Sequence, residues 1–233
     1  MEQVLLEFKE QFTSAFITED RWKLYFQGLL TTMEIVLLAA ILGLVIGTVI
    51  CFMNLSSSKA KKCTIPHLIA VTYIDIIRGT PSVIQLLIMW FIIMKSSTNG
   101  VLVAVISFGI NSGAYVAEIM RGGIQAVNKG QLEAGDSLGI SRFTTIRYVI
   151  LPQAFKNALP TLCNEFITLL KETAIVGYVS LSDLTRVSNQ ISSRTYEPFM
   201  PLIGAAAIYF VIIKMFTILF GKLERRMSQN VAC

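Results

Sequence analysis

Long runs of apolar residues, separated by short polar stretches, set the organisation of this chain. A helix needs about 20 mostly apolar residues to cross a bilayer. Three runs meet that length without interruption, at 29–53, 101–120 and 199–221. Two more, at 67–94 and 158–180, are apolar but contain polar residues. The pattern predicts an all-α membrane protein with about five transmembrane helices, whose two ends lie on opposite sides of the membrane.

The first 24 residues predict a short helix that lies on the outer membrane surface. Apolar side chains recur at helical spacing at Leu5, Phe8, Phe12 and Phe16. The acidic residues in the same stretch do not fit the basic start of a cleavable signal peptide. The expected organisation is an external surface helix over 1–24, a transmembrane domain over 25–222 and a cytoplasmic tail over 223–233.

The composition supports a membrane protein. Hydrophobic residues make up 54% of the 233 residues and charged residues only 15%, whereas soluble domains carry about 25% charged residues. The net charge of +5 does not indicate a nucleic-acid-binding protein, because the basic residues lie in short loops between apolar runs. The four cysteines share no spacing motif, so neither a metal site nor a disulfide framework is expected.

The distribution of lysine and arginine predicts the orientation. Eleven basic residues fall on one side: Lys59, Lys61, Lys62, Arg121, Lys129, Arg142, Arg147, Lys156, Lys222, Arg225 and Arg226. Six fall on the other side: Lys9, Arg21, Lys23, Lys95, Arg186 and Arg194. The side richer in basic residues is expected to be cytoplasmic. The N-terminus is then outside and the C-terminus inside, and 121–157 is the longest cytoplasmic segment.

The second predicted span is broken. Gly79 and Pro81 interrupt the apolar run, and the Thr80-Pro81 pair is typical of a helix start. A new helix is therefore expected to begin at Pro81, with Gln85 one turn further on. A helix N-terminus at membrane depth attracts an anion such as a substrate carboxylate. The alternative is an interfacial loop with a proline kink.

Polar residues also interrupt the third and fourth spans. Asn111, Tyr115 and Glu118 are spaced by four and three residues, which places them on one helix face that should meet protein or water. This face serves either a transport pathway or the contact between helices. In the fourth span, Lys171 and Glu172 either belong to a pathway, pair with each other, or reach the outer surface.

The cytoplasmic segment 121–157 predicts a docking surface for another protein. Glycines punctuate it, and a short helix is expected from Gln131 to Leu138. Glu133 lies in the first turn of that helix, where a negative charge suits the helix dipole. Gly139 permits a sharp turn or a close approach by a partner.

This segment resembles the signature loop of ABC importer permeases. That signature reads EAA, three residues, G, nine residues and I-x-L-P. The chain has Glu133-Ala134-Gly135, then Gly139, and then Val149-x-Leu151-Pro152 at the same spacing. Two positions depart from the signature: Gly135 replaces the second alanine, and Val149 replaces isoleucine.

The resemblance extends over about residues 25–222 and is strongest to the polar amino-acid branch, the histidine/glutamine/arginine type. Three segments carry it: Arg78-Gly79-Thr80-Pro81 with Gln85-Leu86, Asn111-Ser112-Gly113-Ala114-Tyr115-x-x-Glu118-Ile119-x-Arg121-Gly122-Gly123-Ile124, and Gly130-Gln131 followed by Leu151-Pro152-Gln153-Ala154. The branch usually has Lys-Asp-Thr-Ser where this chain has Lys171-Glu172-Thr173-Ala174, which leaves the substrate preference open.

The resemblance implies the type I ABC importer permease architecture in a bacterial cell membrane. It also implies four kinds of partner: two ATPase subunits that bind ATP and Mg, an extracellular or periplasmic amino-acid-binding protein, a second permease chain and membrane lipid. The coupling helix would comprise Glu133, Ala134, Gly135 and Gly139. The sequence itself contains no G-x-x-x-x-G-K-[ST] loop to hold a nucleotide, so no cofactor and no catalytic residue is expected in this chain.

The polar groups at the broken spans are the candidates for the transport pathway. They are Thr80, Gln85, Asn111, Glu118 and Asn164. Glu118 would balance a substrate ammonium group or a cationic side chain, and the helix start at Pro81 would receive the substrate carboxylate. Two other functions use the same spans: a channel or secondary carrier that needs no ATPase, and a membrane enzyme or scaffold that moves no solute.

Overall fold

The computed structural model describes residues 1–56 and 64–229. These residues are helical and form no strand, which confirms the all-α prediction. The α-helices in order are α1 Glu2–Phe12, α2 Arg21–Leu55, α3 Ile65–Arg78, α4 Ser82–Ile88, α5 Gly100–Gln125, α6 Gly130–Ser137, α7 Arg142–Thr145, α8 Leu151–Glu172, α9 Leu184–Thr195 and α10 Phe199–Gln229. Outside the described residues lie Lys59, Lys61 and Lys62 of the first predicted cytoplasmic loop and residues 230–233 of the predicted tail.

Among the described residues, three helical stretches are long and apolar enough to cross a membrane: Leu5–Leu55, Gly100–Gln125 and Phe199–Met227. A fourth span results if the bent pair Ile65–Arg78 and Ser82–Ile93 is counted as one. Helix α8 occupies the position of the remaining predicted span, but it is less apolar because it carries Lys156, Glu165, Lys171 and Glu172. The helices agree with an architecture of about five spans.

Close packing divides the chain into two compact units. The first contains Met1–Ala39, Ser82–Phe108 and Leu169–Phe216, and the second contains Ala40–Pro81, Gly109–Thr168 and Thr217–Cys233. Each unit has a hydrophobic core. The core of the first includes Tyr25, Leu184, Val187, Ile191 and Ala205. The core of the second includes Cys51, Ile74 and Ala117.

The N-terminal segment is helical, as its spacing predicts. Helix α1 is followed by a π-helical turn, Thr13–Ile17, and the chain bends at Glu19 and Asp20, which both have a φ of 56°. Leu5 and Phe8 are exposed, whereas Phe16 packs on Tyr25 with 5.1 Å between the ring centroids. The segment is thus anchored to the first unit through Phe16, and its place on the membrane surface stays a prediction.

Small residues on helix α2 allow it to approach helix α5 closely within the second unit. A Cβ added at Gly43 would lie 3.0 Å from the Ser112 side chain. At Gly47 it would lie 2.5 Å from a methyl group of Val116 and 2.9 Å from the Gly113 carbonyl oxygen. The Gly43-x-x-x-Gly47 pair therefore marks a helix contact of the kind that small residues mediate in membranes.

Replacing Gly47 with alanine is expected to destabilise the chain. The new methyl group would press on Val116, and overpacking of this kind costs roughly 1–3 kcal/mol. Thermal unfolding in detergent measures the effect, and the melting temperature should fall by several degrees. Gly221→Ala is the matched control, because nothing in the described part of the chain lies within 4 Å of a Cβ at Gly221. Equal melting temperatures for the two variants would contradict the close packing.

Helix α9 is amphipathic and well capped. Its buried face consists of Leu184, Val187, Ser188 and Ile191. The Asp183 carboxylate accepts hydrogen bonds from the backbone N–H groups of Thr185 (3.1 Å) and Arg186 (3.0 Å). Burial raises the pKa of Asp183, and these hydrogen bonds oppose the rise. The cap fixes where α9 begins and so which of its residues face outward.

Candidate functional site

The predicted break in the second span is present. Helix α3 ends at Arg78 and helix α4 begins at Ser82, one residue later than predicted. The Thr80 hydroxyl donates to the Ile76 carbonyl oxygen on α3 at 2.9 Å, so it helps to close that helix. Gln85 lies on α4 and is partly buried. Thr80 belongs to the second unit and Gln85 to the first.

Two arginines and one carboxylate form a charged cluster in the second unit. The Arg121 Nη2 and Nε atoms donate to the Glu118 carboxylate at 2.6 and 2.8 Å, which is a bidentate pair. The Arg78 Nη1 atom lies 3.7 Å from the same carboxylate. The Glu118 side chain is 23% exposed, so solvent screens the cluster only partly. We call Arg78, Glu118 and Arg121 the arginine–glutamate cluster.

Tyr115 and Glu118 both contact Arg78, as expected for two residues on one face of helix α5. The Arg78 guanidinium lies 5.2 Å from the centroid of the Tyr115 ring, within the range of a cation–π contact. Arg78 therefore touches both residues, which confirms the predicted common face for this pair. With two guanidinium groups and one carboxylate the cluster carries one net positive charge. An arrangement of this sign favours an anionic group as its further partner.

Another polar contact lies nearer the start of helix α5. The Ser112 hydroxyl, which is buried, donates to the Glu165 carboxylate on α8 at 2.9 Å. Asn111 is buried beside it, and Asn164, the other amide predicted for the pathway, is exposed on α8. Glu165 is absent from the predicted pathway residues. Its position could have identified it as a candidate, because a carboxylate within the predicted span 158–180 is unusual in a membrane helix.

The predicted interruption of the fourth span is confirmed. Helix α8 ends at Glu172, and a 3-10 helix, Thr173–Val179, follows. Thr173 is fully buried, and its hydroxyl donates to the Leu170 carbonyl oxygen at 2.8 Å. Within residues 1–56 and 64–229 no ion pair joins Lys171 to Glu172, so mutual pairing does not hold them there.

The segment after helix α5 is a compact helix–turn–helix. Helix α6 spans Gly130–Ser137 and ends in a turn in which Gly139 has a φ of +69°. An L-residue other than glycine rarely adopts this conformation. The Ser141 hydroxyl then caps helix α7 by accepting from the backbone N–H of Thr144. The sharp turn predicted at Gly139 is therefore present.

An ion pair closes this helix–turn–helix. The Arg142 Nη2 atom lies 2.8 Å from the Asp136 carboxylate, and Arg142 Nε contacts both carboxylate oxygens at 3.2 Å. Hydrogen bonding to Asp136 raises the pKa of Arg142. Around the turn, Leu138 and Phe143 are 77% and 71% exposed. Exposed apolar side chains on a rigid turn are typical of a protein-binding surface.

Gly135 brings helix α6 against helix α7. It is buried, and a Cβ added there would clash with the Thr145 side chain, whose methyl carbon would lie 2.8 Å away. The departure from the permease signature at this position thus has a steric reason. Thr145 occupies the space that an alanine methyl group would need.

Replacing Gly135 with alanine is expected to lower the melting temperature by several degrees, because the methyl group forces α6 away from Thr145. The double variant Gly135→Ala/Thr145→Ala removes the obstructing atoms and should recover most of this loss. Thermal unfolding in detergent measures the effect. No recovery in the double variant would contradict the packing explanation.

The chain resembles known transport proteins over most of its length. Residues 55–229 match the family described as binding-protein-dependent transport system inner membrane component. The putative glutamine transport system permease protein GlnP of Rickettsia typhi is 39% identical over 88% of this chain and 93% of the relative. The arginine transport system permease protein ArtQ of Bacillus subtilis is 38% identical over 88% and 92% of the two chains.

Chains in solved structures of two ABC transporters are also similar to this chain. The crystal structure of an amino acid ABC transporter with histidines contains a chain with a TM-score of 0.80 and 45% identity, over 88% of this chain and 94% of that one. The MetNI methionine ABC transporter in an inward-facing conformation has a TM-score of 0.78 over 91% and 99% of the two chains. At 16% identity this second likeness shows the fold alone.

Proposed function

The chain belongs to the family of binding-protein-dependent transport system inner membrane components, and from that premise we propose that it is the permease subunit of an ATP-driven ABC importer for polar or charged amino acids. The observation that carries the proposal is similarity over 88% of the chain to permeases named for glutamine and arginine transport. The chain is a permease and not an enzyme.

The partners follow from this division of labour. ATP and Mg bind to a separate ATPase subunit, because the chain has no phosphate-binding loop. An extracellular or periplasmic binding protein delivers the amino acid. A second permease chain, identical or homologous, completes the pathway in the bacterial cell membrane. The N-terminus lies outside and the C-terminus in the cytoplasm, as the basic residues predict.

The helix–turn–helix over residues 130–145 is proposed to dock into the ATPase. Three features support this role: the turn at Gly139 is fixed, Leu138 and Phe143 are exposed, and the ion pair of Asp136 with Arg142 holds the two helices together. Glu133 and Ala134 are exposed on the same helix, whereas Gly135 is buried and sets its position. A rigid surface of this kind transmits a movement of the ATPase to the spans.

The arginine–glutamate cluster is proposed to receive the substrate carboxylate. The Glu118 carboxylate is already engaged by Arg121 and Arg78, so its proposed role changes from a partner of the substrate ammonium group to a positioning residue for Arg78. Arg78 is the last residue of helix α3 and lies in the second unit with Glu118 and Arg121. A guanidinium group recognises a carboxylate through charge-assisted hydrogen bonds.

Isolation of the chain from its native membrane in mild detergent tests the assembly. Mass spectrometry should identify an ABC ATPase at about one copy per permease chain, and any second permease would reveal the pairing. The absence of an ATPase, under conditions that keep other ABC complexes intact, would contradict the proposal and favour a channel or secondary carrier.

A further inference from the structure

A pocket of about 730 Å³ lies in the first unit, between the 3-10 helix Thr173–Val179 and helix α9. Its polar lining comes from one face of α9 and consists of Thr185, Arg186, Asn189, Gln190, Ser193 and Arg194. These positions recur at helical spacing, opposite the buried face that begins at Leu184. The volume lies within the range of pockets that hold small-molecule ligands.

One N–H group of Arg186 forms a hydrogen bond that fixes the side chain, and another has no partner among the described residues. Its Nη1 atom donates to the Gly177 carbonyl oxygen at 2.6 Å, which ties α9 to the 3-10 helix. Its Nε atom is buried and has no hydrogen-bond partner among the described residues. An unsatisfied buried donor is unfavourable by itself. Because Nε is buried, a ligand in the pocket would instead bind the remaining N–H groups of the guanidinium, which has five donors in all.

The charge of the pocket is positive. Its described lining includes Arg186 and Arg194 and no acidic residue. Neither arginine forms an ion pair within residues 1–56 and 64–229. The carboxylate of nearby Asp183 is occupied by the backbone N–H groups at the start of α9. Two guanidinium groups beside two side-chain amides match the acceptors of a carboxylate.

We propose that this pocket binds the α-carboxylate of the transported amino acid, with Arg186 as the principal donor and Arg194 as the second positive charge. The amides of Asn189 and Gln190 would hydrogen-bond the ligand, and the exposed ring of Tyr178 would provide an apolar wall. The inference rests on the proposed function and adds a binding site that is separate from the arginine–glutamate cluster.

Chemical modification of arginine tests the site without relying on uptake. The complex is isolated with its native subunits, placed in lipid nanodiscs and treated with phenylglyoxal, and the modification rates of Arg186 and Arg194 are followed by mass spectrometry. Millimolar L-glutamine or L-histidine, neither of which carries a guanidinium group that would consume the reagent, should slow both rates severalfold, while their α-amides, which lack the anionic carboxylate, should not. Arg147, which is exposed elsewhere in the chain, serves as the internal reference.

Variants on helix α9 sharpen the test. Arg186→Gln should raise the amino-acid concentration that half-protects Arg194 by about tenfold or more, the usual weight of a charge-assisted pair. Ser192→Ala is the matched control, because its hydroxyl bonds the Ser188 carbonyl oxygen and does not line the pocket. It should leave protection unchanged.

Three results would overturn the proposal. The first is equal protection by the α-amides, and the second is no protection by either amino acid. The third is protection by the external binding protein alone, with no amino acid added, which would make the pocket a protein contact. Uptake by the same preparation is measured separately. Uptake without protection would reject the pocket and leave the importer intact, whereas protection without uptake of any amino acid would reject the importer and leave the carboxylate site.

Discussion

Replacing Gly139 with aspartate is expected to reduce ATP-driven uptake to below about a hundredth of the wild-type rate, the size of a lost interface hot spot. The residue lies at the exposed turn between α6 and α7, with a φ of +69°. Among residues 1–56 and 64–229, nothing lies within 4 Å of a Cβ at this position. Within the permease, the substitution is therefore unfavourable only through backbone strain at residue 139. A large loss of uptake would instead indicate a disrupted contact with the partner subunit.

The variant Gly139→Asn distinguishes the effect of the added charge from the effect of the added side-chain volume. Asparagine has nearly the same size as aspartate, and both tolerate the left-handed region at a cost of about 1–2 kcal/mol or less. The asparagine variant should retain a measurable fraction of uptake, because it brings no charge to the docking surface. Both variants should reach the membrane at wild-type levels and unfold near the wild-type temperature. Normal uptake by the aspartate variant would refute the docking role.

Glu118→Gln is expected to reduce uptake by about tenfold or more, since it removes the one carboxylate that Arg78 and Arg121 share in their partly buried cluster. Arg121 would lose its bidentate partner, and Arg78 would be free to leave its position over the Tyr115 ring. Initial rates of uptake over a range of substrate concentrations measure the change. Unchanged affinity and rate would show that the carboxylate has no part in transport.

The double variant Glu118→Gln/Arg121→Gln distinguishes a structural role from a transport role. It restores the cluster to one net positive charge, as in the wild type, and should recover much of the thermal stability that the single variant loses. Uptake should stay low, because Arg78 is still not positioned. Recovery of both stability and uptake would mean that Glu118 only balances charge.

Much of the architecture could be predicted from local patterns. The apolar runs located α2, α5 and α10, and glycine with proline located the break between Arg78 and Ser82. These features depend on residues close together in sequence, where helix geometry and hydropathy are sufficient. The turn at Gly139 is of the same kind, since the demand for a positive φ is met within the segment.

Contacts between distant parts of the chain were not predictable in the same way. Ser112 pairs with Glu165, and Arg78 reaches Glu118. Each of these pairs joins separate helices, and periodicity places a residue on a face without telling which helix meets that face. The glycine at position 135, where the permease signature has alanine, could not be explained from local sequence either. Its reason is the packing against Thr145, which is ten positions away.

Uptake by the purified complex in proteoliposomes tests the central claim most directly. The permease is isolated with its ATPase, reconstituted with the external binding protein on one side and ATP with Mg on the other, and offered labelled glutamine, arginine, histidine and glutamate separately. The account predicts that at least one of these amino acids accumulates only when ATP is hydrolysed. Accumulation driven by an ion gradient without ATP, or none while ATP is hydrolysed, would contradict it.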